Sequence, residues 1–208
     1  LTTSAVFFPF NLETDPFQSL ADFIIGHEPD EIYYVAAFHA SSQEVEQDIN
    51  SIDSSGKVNY LSFVKVLEIC RLYNISARIV YTSSSLVFAG ASHPVQDEST
   101  ELAPRCIYSV NKCAAMTAAR YYRDVYGLFV SVGIMYNHES KLRNSNFLSQ
   151  LVISGVRKYI AGEIEKVVVG DLSLRSDWGY APDYVKALWH ILQQEKAQEF
   201  IVASGTSH

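Results

Sequence analysis

Apolar residues along this chain follow two alternating patterns. Some form unbroken runs of strand length: 31–38 (EIYYVAAF), 77–82 (ARIVYT) and 128–136 (LFVSVGIMY). Such runs suit strands buried on both faces. Others recur at helical spacing, as do Phe17, Leu20, Phe23 and Ile24, and then Leu61, Val64, Leu67 and Ile69 within 59–73. That spacing predicts amphipathic helices. Further helices are expected over 105–126, stopped by Gly127, over 147–161, and from Pro182 to about Gln194. Pro16 suits the first turn of the first helix and Gly26 its end. Shorter apolar stretches at 5–10, 167–169 and 200–203 read as strands. The acidic stretch 39–55 reads as a mobile loop or a frayed helix start, and 89–104 and 137–145 as loops.

Strands alternate with helices nearly throughout. This implies an α/β fold, a doubly wound parallel sheet of the Rossmann-like kind with helices on both faces. Ligands in such sheets bind beyond the carboxyl ends of the strands. A dinucleotide-binding sheet normally opens with a strand, a glycine-rich turn and a helix. No G-x-G-x-x-G occurs here, and the 10 glycines are scattered. The chain is therefore expected to open on the third strand of such a sheet. The N-terminal glycine-rich unit and most of a C-terminal substrate domain would lie outside it. The place beside the 5–10 or 31–38 strand would then await another chain or another part of this one.

Composition narrows the picture. With 208 residues and 48% hydrophobic content, the chain can bury one sizeable core. A formal net charge of -7 argues against nucleic acid or an anionic membrane as partner. Cys70, Cys106 and Cys113 show no metal-ligand spacing, and an odd count suggests free thiols in a reducing compartment. The histidines form no ligand set with cysteines or carboxylates, so no metal is expected. No apolar run reaches membrane-span length and no secretory leader is visible, which reads as a cytoplasmic protein.

The chemistry points to Ile107–Lys112 and to the serines 83–85 that end the 77–82 strand. Tyr108 and Lys112 are four residues apart, one helical turn on one face. An ammonium so placed is expected to stabilise a phenolate and lower the tyrosine pKa. A serine from the preceding strand can hydrogen-bond the same substrate hydroxyl. Together they form a general acid/base device for moving a proton while a nicotinamide moves a hydride. The serine run could instead hold a nucleophile, but no G-x-S-x-G elbow surrounds it.

Several motifs occur in a telling order: Pro29-Asp30-Glu31-Ile32-Tyr33, Tyr108-x-x-x-Lys112, Tyr126-Gly127-Leu128-Phe129, Asn137-His138-Glu139-Ser140, Asn146-Phe147, Asp177-Trp178-Gly179 and Asp183-Tyr184-Val185. In these the chain resembles the GDP-mannose 4,6-dehydratases of the extended short-chain dehydrogenase/reductases, from about Asn11 onward. The resemblance implies an enzyme that holds NADP, oxidises a nucleotide sugar at C4, eliminates water across C5 and C6, and returns the hydride to C6. It implies a catalytic set of Ser84, Tyr108 and Lys112. Asn11, Leu12, Val35, Ala36, Ala37, Lys112, His138 and Arg143 would contact the cofactor, with Asn11 where an aspartate is usual. Ser84, Tyr108, Asn137 and Asn146 would face the substrate. Residues 1–136 would form the NADP-binding part. Residues 137–208 would hold the rest of the sheet and the start of the substrate-binding part. Members of the family form dimers or tetramers, which makes the 105–126 helix a candidate interface for a homo-oligomer.

The departures are specific. The family carries a carboxylate two residues after the catalytic hydroxyl, and here that position is Leu86. Basic residues expected after Asn146-Phe147 are replaced by Gln150 and Leu151, and Ser176 stands where an arginine precedes Asp177, with Arg175 adjacent. Three functions follow: a dehydratase, a nucleotide-sugar reductase or epimerase favoured by Leu86, or a catalytically silent binding or scaffold homologue favoured by the missing glycine turn.

Overall fold

The computed structural model describes residues 5–39 and 48–208. The elements are α1 (Phe17–His27), β1 (Glu31–Tyr34), α2 (Ile49–Gly56), a π-helical turn (Lys57–Leu61), α3 (Ser62–Leu72), β2 (Arg78–Ser84) and a 3-10 turn (Ser85–Phe88). Then follow α4 (Ile107–Tyr126), β3 (Val130–Met135), β4 (Asn137–Glu139), α5 (Leu148–Ile160), β5 (Trp178–Tyr180), α6 (Ala181–Leu192) and β6 (Glu199–Val202). The main sheet has the order β1-β2-β3-β6 and is parallel throughout. The doubly wound α/β expectation holds.

Strand periodicity explains the unbroken apolar runs. Ile79, Tyr81, Val132 and Ile134 point to one face, where Phe63 and Leu67 of α3 and Met116 and Ala119 of α4 cover them. Val80 and Met135 point to the other, where Tyr184, Leu188 and Leu192 of α6 close the layer. Every residue of β3 is buried, because neither face of that strand meets water. Gly133 lets α6 approach, since a Cβ there would lie 3.0 Å from Leu188 Cδ2.

Two expected strands do not form. Residues 5–10 carry no strand; Phe8 instead stacks on Phe23 of α1 with centroids 4.3 Å apart, and on Phe10 at 6.2 Å. Aromatic side chains here find a helix face rather than a sheet edge, and Pro9 has no amide to donate to a ladder. Residues 167–169 also stay irregular, with Val167 lying over Gly155 of α5, where a Cβ would collide with it. Two short strands were not expected: β4 and β5 pair in parallel as a second sheet, with Asn137 opposite Trp178. Of the acidic stretch 39–55, residues 40–47 lie outside the described residues. Its end is helical, with the Asp48 carboxylate accepting from the Ser51 N–H at 2.8 Å to cap α2.

Polar contacts tie the layers at the far edge. Glu98 on the long 89–104 loop accepts from the Ile201 N–H at 2.8 Å, taking up a donor of the edge strand β6. Glu199 accepts from Arg120 Nε and Arg123 Nη2, both at 3.0 Å, and Arg123 also reaches the Val130 carbonyl. Burial opposes ionisation of Glu199, but the two guanidiniums outweigh it and hold the carboxyl below its usual range. Its contribution to stability is therefore present above the ordinary glutamate value of 4.5 and is lost as pH falls through the lowered folded-state value. Glu199→Gln should cost about 2 kcal/mol in urea unfolding at pH 7, with the difference from wild type shrinking below pH 4. An equal cost at pH 7 and pH 3 would contradict this.

Candidate functional site

The carboxyl ends of β1, β2 and β3 open onto one side of the sheet. At β2 the strand ends at Ser84 and turns at once into the 3-10 segment, with Ser84 Oγ accepting from the Leu86 N–H at 3.3 Å. Helix α4 starts close by. Ser109 Oγ accepts from the Cys106 N–H at 3.1 Å and donates to the Cys106 carbonyl at 2.9 Å, which fixes the first turn. Tyr108 thus enters the first turn of α4 and Lys112 the next. Ser84 stands near enough to Tyr108 to act on its phenol.

Lys112 is 1% exposed. Its Nζ donates to the Thr82 carbonyl at 2.7 Å and lies 4.6 Å from the Tyr81 ring centroid and 5.5 Å from that of Tyr108. Burial without a carboxylate partner pushes the ammonium down to about 7. Burial likewise pushes the Tyr108 phenol up to about 12, with Ser84 acting against that rise. This corrects the expectation that Lys112 lowers the tyrosine. The lysine passes the phenol ring to reach a backbone carbonyl of β2, and low-dielectric surroundings dominate at both groups.

Two residues that sequence patterns did not single out are central to this geometry. Asn59 is fully buried in the π turn. Its side chain brackets Phe38, accepting from the N–H at 3.0 Å and donating to the carbonyl at 2.8 Å. It also donates to Ser55 Oγ at 3.0 Å, which in turn accepts from Asn111 Nδ2 of α4 at 3.0 Å. The Asn59 carbonyl accepts from the Tyr81 hydroxyl at 2.6 Å. One asparagine therefore joins the exit of β1, strand β2 and helix α4. The available signal was a polar residue on the inward stripe of an apolar helix, where π turns also tend to occur at sites. The second residue is His39, directly after Phe38. Its ring meets Tyr108 edge-on, with centroids 4.5 Å apart and an interplanar angle of 87°, and lies 6.4 Å from the Phe147 ring. Its signal was its place, the first polar side chain after the β1 apolar run.

The other expected site residues take varied positions. Val35, Ala36 and Ala37 follow β1 at its carboxyl end, with Val35 and Ala37 exposed. Asn137 donates to Ser176 Oγ at 2.5 Å. His138 bonds the Tyr136 carbonyl through Nδ1 at 2.8 Å and stacks on Tyr184 at 4.8 Å. Gly179 makes room for that same Tyr184 ring. The Arg143 guanidinium lies 3.7 Å over the Phe147 ring, and its Nε stands 3.4 Å from Glu139 Oε1 without the alignment of a hydrogen bond. Asn146 Oδ1 is buried and has no partner among the described residues. Two such atoms on one turn, beside the carboxyl ends of the strands, suit a polar ligand. Asn11 closes its own turn, its Oδ1 accepting from the Glu13 N–H at 2.8 Å, while the Leu12 carbonyl accepts from Ser62 Oγ at 3.0 Å just past the π turn. Leu86 is 38% exposed and offers no acid or base.

Asp177 has a supporting part. Its carboxylate accepts from the N–H groups of Ser204, Gly205 and Thr206 at 2.9, 2.7 and 3.1 Å, folding the segment after β6 against β5. A cavity of about 700 Å³ lies elsewhere, in the 89–104 loop, lined by His93, Asp97 and Glu101 among others and by none of the expected site residues. Among the described residues no three His, Cys, Asp or Glu side chains could share a metal, and no helix is long and apolar enough to cross a membrane.

Comparison with known proteins adds a second line. The family model described as GDP-mannose 4,6 dehydratase matches residues 7–208. GDP-mannose 4,6 dehydratase 1 of Arabidopsis thaliana is 35% identical over 184 residues, covering 87% of this chain and 50% of that protein. The Homo sapiens GDP-mannose 4,6 dehydratase is 33% identical over 183 residues, covering 87% and 48%. The chain thus spans about half the length of the curated relatives it matches. Among solved structures, RMD from Pseudomonas aeruginosa complexed with NADPH superposes with a TM-score of 0.84 at 20% identity, over 97% of this chain and 68% of that one. UDP-glucose 4-epimerase from Thermotoga maritima with UDP-glucose gives 0.82 at 19% identity, over 98% and 64%. At such identities the structures speak for the fold.

The Lys112 environment can be measured without any ligand. Its folded value of about 7 lies below the ordinary 10.5, so between these values the unfolded chain binds more protons. Stability should rise with pH across that window. Relative to Lys112→Met, the wild-type urea midpoint should climb from pH 7 to pH 10. A constant difference between the two proteins would show that the ammonium is not desolvated.

Proposed function

The chain belongs to the GDP-mannose 4,6 dehydratase family, and on that premise we propose that it is part of an NADP-dependent enzyme acting on a nucleotide sugar, GDP-mannose first among candidates. The observation that carries this reading is the meeting of Tyr108 with Ser84 at the carboxyl end of β2, in a chain 35% identical to a GDP-mannose 4,6 dehydratase. Support for the cofactor comes from the same fold in RMD complexed with NADPH and in dTDP-glucose 4,6-dehydratase of Streptomyces venezuelae with NAD bound.

In this reading Tyr108 takes the proton of the sugar C4 hydroxyl in its phenolate form, which binding of the cofactor must favour against the burial that pushes the free phenol up, and Ser84 orients that hydroxyl. Bound NADP supplies the two-electron acceptor for the oxidation. Val35, Ala36 and Ala37 would line its nicotinamide side, and Lys112 would reach its ribose. His138 and Arg143 would also contact it, with Asn11 and Leu12 near the adenosine. Asn137 and the unpartnered Asn146 Oδ1 would meet the nucleotide sugar. The exposed Val110, Tyr121 and Val125 on α4 support a homo-oligomer packed through that helix.

A second reading has its own observation. Leu86 occupies the position of the family's catalytic carboxylate and cannot remove a proton from C5. That favours a reductase or epimerase acting on the same class of sugar.

The test is turnover of the intact protein with NADP and GDP-mannose. A 4-keto-6-deoxy product marks a dehydratase; inversion at C4, or oxidation of NADPH by a 4-keto nucleotide sugar in a parallel assay, marks the second reading. Tyr108→Phe should lower turnover about 10²- to 10⁴-fold in either case. Unchanged turnover would refute the assignment.

A further inference from the structure

Elimination of water across C5 and C6 needs a group that takes the C5 proton and gives one to the departing C6 hydroxyl. Leu86 supplies neither. C4 and C5 are bonded neighbours, so that group must stand next to the one serving the C4 hydroxyl. Among the described residues, the titratable side chains close to Tyr108 include Lys112, Cys106, His39 and the buried Tyr81, whose hydroxyl is spent on the Asn59 carbonyl. Lys112 is buried with its Nζ on the Thr82 carbonyl, facing β2. Cys106 caps α4, its Sγ 3.3 Å from Ser109 Oγ. His39 is exposed and meets the Tyr108 ring edge-on at 4.5 Å.

The position of His39 is distinctive. Its ring neighbours both the Tyr108 ring, at 4.5 Å, and that of Phe147, the residue after Asn146, at 6.4 Å. It thus neighbours both the tyrosine that would serve C4 and the turn that would hold the sugar. Asn59 fixes that place by gripping both backbone polar groups of Phe38. An imidazole is also the side chain best suited to accept and return a proton near neutral pH.

We infer that His39 is a further catalytic residue of the Tyr108 site, performing the proton transfer at C5 and C6 that Leu86 cannot. The inference rests on the function proposed above. The C5–H bond breaks once C4 is a ketone, its proton passing to the imidazole. The C6–O bond then breaks, the imidazolium proton leaving with the hydroxyl as water and a double bond forming between C5 and C6.

The test separates oxidation at C4 from proton transfer at C5. The intact protein with NADP and GDP-mannose in D2O is followed by nicotinamide absorbance and by deuterium at C5. In His39→Gln, reduced nicotinamide should still form from the sugar, while C5 exchange falls at least about 100-fold. Added imidazole should restore exchange in His39→Ala. GDP-mannose, but not GDP, should shift the His39 imidazole NMR signal, identified by its absence in His39→Gln. Exchange at the wild-type rate in His39→Gln would overturn the inference, as would a parallel loss of C4 oxidation or an unmoved imidazole signal. Wild-type protein that oxidises C4 but never exchanges C5 would overturn it too, leaving the reductase or epimerase reading in place. Wild-type protein that oxidises no sugar would refute the parent reading and this one with it.

Discussion

A buried ammonium sets the geometry of this molecule. Lys112 has left water with a backbone carbonyl and two tyrosine rings for company, and no carboxylate among the described residues. Desolvating a charge in this way is costly. Its Nζ can bond the Thr82 carbonyl in one alignment of α4 on β2, so the helix cannot slide or rotate without leaving that charge unsatisfied. Tyr108, one turn earlier, is carried to Ser84 by the same alignment. The approach of Tyr108 to Ser84 follows from where the lysine finds its acceptor.

The π turn makes the complementary connection. An ordinary helical register would rotate the residues around Asn59 relative to the strands. The wide turn instead lets Asn59 hold Phe38, Ser55 and the Tyr81 hydroxyl at once. Those polar groups lie in an otherwise apolar layer formed by Phe63, Leu67, Met116 and Ile134. Each buried polar group there has a partner, which is what allows the layer to tolerate them. Polar groups in an apolar core cost stability, and here they gather where the exit of β1, strand β2 and helix α4 meet.

Much of this was legible in the chain. Runs such as 77–82 and 128–136 announce strands covered on both faces, and the helical spacing of 59–73 and 105–126 announces the cover. Tyr108, Lys112 and Ser84 were legible because a fixed spacing on a helix and a serine run at a strand end converge in this fold. What escaped notice has physical causes. β4 and β5 are three residues each and mostly polar, so no apolar period marks them. Residues 5–10 are apolar enough for a strand, but aromatic rings gain as much from α1. Asn59 and His39 act through backbone brackets and ring contacts across long sequence separations, which no local pattern encodes. The protonation of Tyr108 and Lys112 depends on burial, and spacing alone does not report it. Family resemblance supplied the proposed cofactor and sugar, which residue patterns by themselves do not name.

The measurement that bears most directly on the central claim is a crystal structure of the intact protein with NADP and GDP-mannose. The sugar C4 hydroxyl should lie within hydrogen-bond reach of both the Tyr108 oxygen and Ser84 Oγ, with the nicotinamide ribose at Lys112. A sugar bound instead in the 89–104 loop cavity, or a Tyr108 oxygen sealed away from both ligands, would contradict the account and leave only the fold.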